Sequence, residues 1–171
     1  VCSSDLIVVI GVLFANMLHY IDDVNAADQA VKICRINVNT SARNIREMAL
    51  NNDTSAYDSY EQNVKKLLTE VDSQLEILKK TKVLPDEEYN EYASALSDWG
   101  NIGYSIIEEI KNGEKEKAID EIFNSCTPAL NKLVEIAIRL DEITDEVSEQ
   151  SARTTIIFAV EIGRASCRER V

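Results

Sequence analysis

Arg35, Asn39, Arg43 and Arg46 recur at steps of four, four and three, so on a helix they fall along one ridge. Guanidinium groups on a ridge suit an anion, above all a carboxylate, which each can grip through two parallel hydrogen bonds. The ridge is conspicuous because the chain carries 18 Lys plus Arg against 30 Asp plus Glu, a formal net charge of -12. The competing use is structural: a solvated face whose arginines pair with carboxylates of neighbouring helices or of a second subunit. Asn124, Ser125 and Thr127 form a second candidate group, just before Pro128. Pro128 has no N–H, so the carbonyl of Asn124 loses its helical donor and a kink is expected. That carbonyl and two hydroxyls suit an ammonium group. Ridge and turn together predict a ligand with both a carboxylate and an ammonium; the alternative is a kink whose carbonyl is solvated by water.

Other chemistry is excluded by inventory. His19 is the single histidine of the chain, and no Glu-x-x-His, Cys-x-x-Cys, P-loop or glycine-rich nucleotide motif occurs. No enzyme, metal site or cofactor is expected. Phosphate neutralisation needs a concentrated basic face, which this acidic chain lacks, so nucleic acid is not a partner. The runs Asp86-Glu87-Glu88 and Glu114-Lys115-Glu116-Lys117 read as helix starts and solvated faces, and Trp99, Tyr89 and Tyr92 as core.

The elements that must position these residues are helical. Val24, Ala27, Val31, Cys34, Val38, Ile45 and Met48 repeat at alternating threes and fours, with Ser41 interrupting the apolar seam. Asn51 to Ser55 supply turn and capping chemistry. A second stripe runs Tyr60, Val64, Leu67, Val71, Leu75 and Leu78, ending near Lys79 and Lys80; a third, opened by Pro85, runs Tyr89, Tyr92, Leu96, Trp99, Gly103, Ile106 and Ile110. Asn112-Gly113 closes it. The fourth runs from Glu114 through Ile119, Ile122, Cys126, Leu130, Leu133, Ala137, Leu140, Ile143 or Thr144, and Val147. The fold class is therefore all-α: an antiparallel up-down-up-down four-helix bundle.

Residues 6–18 and 154–160 are apolar but shorter than the roughly 20 residues a membrane span takes. The flanking residues, 1–5 and 161–171, read as translated sequencing-adapter ends, since one short oligonucleotide read on both strands can encode parts of each. On this reading 6–18 and 154–160 are partial transmembrane helices, continuous with the first and last helices of the bundle, and 19–153 is the domain between them. Both then leave the bundle at one end, as two spans require. A cleaved signal peptide is disfavoured because no small-x-small site follows Leu18. His19 and Tyr20 are expected at the membrane edge.

At ~1.5 Å per helical residue, Cys34 stands about 24 Å from Leu18 and Cys126 about 40 Å from Arg153, too unequal for a disulfide. Arg43, about 25 residues past Leu18, is level with Pro128, about 25 before Arg153. This arithmetic sets Arg43 and Arg46 opposite Asn124 to Thr127.

The stretch INVNTSARNIREMALNND from Ile36, a long acidic helix, a Pro-containing turn, and then KNGEKEKAIDEIFNSCTPALNKLVEIAIRLDEIT resemble the four-helix-bundle sensor domain of bacterial methyl-accepting chemotaxis proteins. The resemblance covers about residues 6–160. It implies a homodimeric receptor of the bacterial inner membrane whose extracytoplasmic bundle binds a small-molecule ligand, or a solute-binding protein, far from the membrane, and signals by a displacement of the fourth helix. Arg43 and Arg46 with Asn124 to Thr127 are similar in kind to the arginines and fourth-helix carbonyls of amino-acid receptors, but the arginine spacing differs, so specificity is not implied. The rival readings are a dimerisation and spacer bundle, the input domain of another signalling protein such as a sensor kinase, and a cytosolic binding bundle.

Overall fold

The computed structural model describes the backbone of residues 2–168. Side chains are not described at 2–7, 9, 16, 19, 21, 158, 159 and 161–168, so the expectations for the adapter-like ends, for Cys2 and Cys167, and for His19 lie outside the described residues.

Among the described residues the chain is helical apart from short turns at 51–53, 82–85 and 112–114, with no strand. α1 (Cys2–His19), a π-turn (Tyr20–Val24) and α2 (Asn25–Leu50) make one continuous column. α3 (Tyr57–Thr81) and α4 (Asp86–Lys111) make the second and third. α5 (Lys115–Glu121), a second π-turn (Ile122–Cys126) and α6 (Thr127–Arg168) make the fourth. No described helix is long and apolar enough to cross a membrane.

Each turn has a local cause. The Asp53 carboxylate accepts from Ser55 N at 3.0 Å, and the hydroxyl of Tyr57 donates to Asn51 O at 3.0 Å, closing the first connection. Pro85 sets the entry to α4, where Tyr89 N donates to Pro85 O at 3.0 Å beside the acidic first turn of Asp86, Glu87 and Glu88. Gly113, at φ 85°, lets Glu114 N turn back onto Glu109 O at 2.9 Å, so α4 ends in glycine's left-handed region. Lys82 takes the same role after α3 at φ 52°, without glycine's freedom.

The predicted stripes form the core. Val31, Cys34, Ile45, Met48, Val64, Leu78, Tyr92, Trp99, Ile106, Ile110, Cys126 and Leu140 are all buried. Ser41 stays on the seam, fully buried, and the helix runs through it. Tyr60, Leu67, Leu75 and Tyr89 are only half-buried, whereas Tyr57, Ile107 and Ile136 join the core beyond the predicted stripes. Between Ile143 and Thr144 it is Thr144 that is buried, its hydroxyl returned to Asp141 O at 2.9 Å. Cys34 and Cys126 are buried and unpaired. The Cys34 thiol is pushed up to about 12 by burial, with Tyr92 lowering it, so the group stays an uncharged, inert thiol.

Trp99 is 0% exposed, so Trp99→Ala is expected to lower stability by about 3–5 kcal/mol in urea unfolding. Lys82→Gly is expected to raise it by up to about 1 kcal/mol, because relief of left-handed strain outweighs the added freedom of the unfolded chain.

Candidate functional site

The arginine ridge lies on α2, where it faces the fourth column along only part of its length. Arg46, half-buried, reaches α6 and its Nη2 donates to Thr127 Oγ1 at 3.2 Å. That hydroxyl donates in turn to Ile122 O at 2.7 Å, and the Thr127 N–H bonds the same carbonyl. Thr127 thus closes the π-turn with one hand and receives Arg46 with the other. Among the described residues Arg46 has no carboxylate partner. Its charge reaches Cys126, whose thiol burial pushes up while Arg46, and then the Trp99 indole, pull it down.

The other arginines are occupied. Arg35 Nη1 donates to Asp141 Oδ2 of α6 at 2.9 Å, in a half-buried pair. Arg43 is exposed and sits 3.7 Å from Glu47, one turn along its own helix. Asn39 Nδ2 returns to Arg35 O at 2.8 Å, and Asn124 Nδ2 goes to exposed Asp120 Oδ1 at 2.8 Å. Ser125 is half-buried. The ridge is therefore not an unpaired basic strip. The structure brings Arg46 and Thr127 into contact and engages Arg35, Arg43, Asn39 and Asn124 with other partners. Between α2, α4 and α6, a crevice lined by Arg35, Asn39, Tyr92 and Leu130 holds about 10 Å³, room for one water.

Two features of the region were not anticipated from the sequence. The π-turn accommodates Pro128 by widening the helix just ahead of it, and its signal is a run of fours: Ala118, Ile122, Cys126 and Leu130 are all buried. Four successive residues at that spacing drift off one face of an α-helix of 3.6 per turn, but stay on it if a turn is wider. The second feature, Asp141 as the partner of Arg35, had no local signal because the two lie 106 residues apart.

The family model described as a four helix bundle sensory module for signal transduction matches residues 20–155. The chain belongs to this family. No curated protein and no solved structure matches it. The matched span begins at the first π-turn, takes in α2 to α5 and reaches residue 155 of α6, so it contains every buried residue of the core. The family is one of signalling modules rather than catalysts, in keeping with the lack of catalytic motifs in the sequence.

Within the sensory module, Asp141 is held above the usual carboxylate range, by burial first, while Arg35 and Lys32 pull it down. A carboxyl raised on folding contributes stability at low pH that is lost as pH rises through its titration. Arg35→Ala removes the compensating charge, so it is expected to cost about 1–2 kcal/mol at pH 7 and less at pH 4, by urea unfolding. In an Asp141→Asn background most of that loss should vanish, as a double-mutant cycle reads directly.

Proposed function

We propose that this sensory module is the extracytoplasmic input domain of a membrane chemoreceptor, binding a small anionic or amino-acid-like ligand, directly or on a solute-binding protein, at the far end of the bundle. The observation that carries the reading is Arg46: a half-buried guanidinium with no carboxylate partner among the described residues, in contact with the π-turn of the fourth column. A ligand carboxylate at Arg46 would compete with Thr127 for its hydrogen bonds. Thr127 also closes the π-turn, so the competition would act on the helix that continues to the other end of the molecule.

Two further features support the setting. Val8, Ile10, Val12, Phe14, Met17, Leu18, Ile156, Ile157 and Val160 are exposed apolar side chains gathered where α1 runs beside the end of α6, as a bilayer would require. Ile36, Arg43, Glu47 and Leu50 share one exposed face of α2, with Ile36 62% and Leu50 75% exposed, a surface suited to a second copy of the chain. A homodimer joined there would hold each Arg43 near its partner. Ligand-free dimerisation and spacing is the second reading, and the small volume of the crevice beside Arg35 and Asn39 favours it over a ligand enclosed within one bundle. Input to a sensor kinase would use the same bundle with a different output.

Thermal-shift measurements on the full chain against amino acids and organic acids test the site. A ligand at 100 times its Kd adds about 2.7 kcal/mol of stability, and the shift is expected to disappear in Arg46→Ala. A shift that survives in Arg46→Ala would refute the placement, and no shift with any compound would favour the spacer.

A further inference from the structure

α3 and α4 part along the middle of their length, and an open groove of about 210 Å³ lies between them. Its floor is apolar: Leu68 and Leu75 of α3 are half-buried there, and Leu96 of α4 is buried. Gly100 completes that floor from α4. After proline, glycine is the least favourable residue inside a helix, and it is kept where something approaches the backbone closely. No neighbour in the bundle makes that approach, because a methyl group added at Gly100 would meet only Leu68 Cδ1, at 3.9 Å, an ordinary contact. An alanine would fit this bundle and favour its helix, so packing does not account for the bare backbone at 100.

The rim carries the polarity of the groove, with Asp72 on the α3 side and Ser97, Asn101 and Tyr104 on the α4 side. Asp72 is the one charged residue among those described as lining it, and the chain offers it no cation nearby. α3 has no Lys or Arg from 68 to 76, and the one charged residue of α4 from 92 to 107 is Asp98, another acid. Gly100 is level with Leu68, so Asp72 and Tyr104 each stand one turn from that level in opposite directions, about 11 Å apart along the groove. An apolar floor with a few convergent polar groups is the pattern of a small-molecule site. Its unmatched charge suits a cation, its length an elongated molecule and its bare floor a flat one. We propose that the groove binds an arylalkylamine, with the ammonium group on Asp72 and the ring laid over Gly100 toward Tyr104, at a site separate from Arg46. An ammonium–carboxylate contact is a charge-assisted hydrogen bond, and the ring covers apolar surface that the two helices leave open. The ligand bridges α3 to α4, neighbours that otherwise touch little.

Isothermal titration of the full chain with tyramine, and with tyrosol, which has the same body with a hydroxyl in place of the ammonium, tests this. Tyramine is expected to bind about tenfold tighter than tyrosol, and Asp72→Asn to remove that preference. Gly100→Ala is expected to melt at or above the wild-type temperature and yet to lose about tenfold in tyramine affinity, a split that helix packing alone would not produce. Glu76→Gln, one turn from Asp72 and outside the groove, and Arg46→Ala are expected to bind tyramine as the wild type does. Absence of tyramine binding, equal binding of tyrosol, undiminished affinity in Gly100→Ala, or an equal loss in Glu76→Gln or Arg46→Ala would each overturn the proposal. A dimer that Gly100→Ala dissociates would overturn it too, since the groove would then hold a second copy of the chain.

Discussion

Ala27, Ala30, Cys34, Ser41, Ala42 and Ala49 give α2 a buried stripe of little bulk, and α3 lies along α2 more extensively than any other two helices of the bundle meet. Small side chains let two helix axes approach closely, and a close pair on one side obliges bulk on the other. That bulk comes from α4 and α6: Tyr92, Trp99, Ile106, Ile107, Ile110 and Leu140 are fully buried. The diagonal from α2 to α4 closes so tightly that a methyl group added at Gly103 would come within 3.1 Å of Ile45 Cδ1. The α3–α4 side is the looser one, with an open groove of about 210 Å³ lined by Leu68, Thr69, Ser97, Gly100, Asn101 and Tyr104.

Charge follows the same division. Carboxylates are in large excess, and several ion pairs join neighbouring columns: Lys111 joins α4 to Glu61 of α3 at 2.5 Å, and Arg139 joins α6 to Glu88 of α4 at 2.8 Å and to Glu91. Exposed pairs of this kind add little stability each. Their consequence is selective, because a guanidinium left over amid so many acids must be kept from them by position. Arg46 is kept so by sitting beside Cys126 and Thr127 on the π-turn, where the fourth column offers a thiol and a hydroxyl instead of an acid.

Local periodicity made the bundle legible. The four stripes, the Pro85 start and the Asn112-Gly113 end all arise from residues within one or two turns of each other, and the structure keeps them. Simple height arithmetic also placed Arg46 across from Thr127, because helical rise is nearly constant. Long-range partners were not legible: nothing near Arg35 names Asp141, and nothing near Arg139 names Glu88. Burial at the margins was missed for a related reason, since Tyr60 or Leu75 on a stripe is covered only if the opposing helix is close, and α4 is not close to α3. The π-turn was written in the sequence as a run of fours but hidden by the expectation that proline produces a kink.

Each of the two long columns contains a π-turn, at Tyr20–Val24 in the first and Ile122–Cys126 in the fourth, while α3 and α4 have none. A wide turn holds one residue more than an ordinary one, so it is a place where one residue can be lost without rotating the helix beyond it. Deleting a residue from an ordinary α-helical turn would swing every later side chain by about 100° about the axis. Deleting exposed Phe123 would instead shorten the wide turn to an ordinary one and leave the Leu130 to Leu140 face in phase. The fourth column is thereby jointed: its short upper part and its long lower part can differ in length by a single residue and still present the same faces to the core.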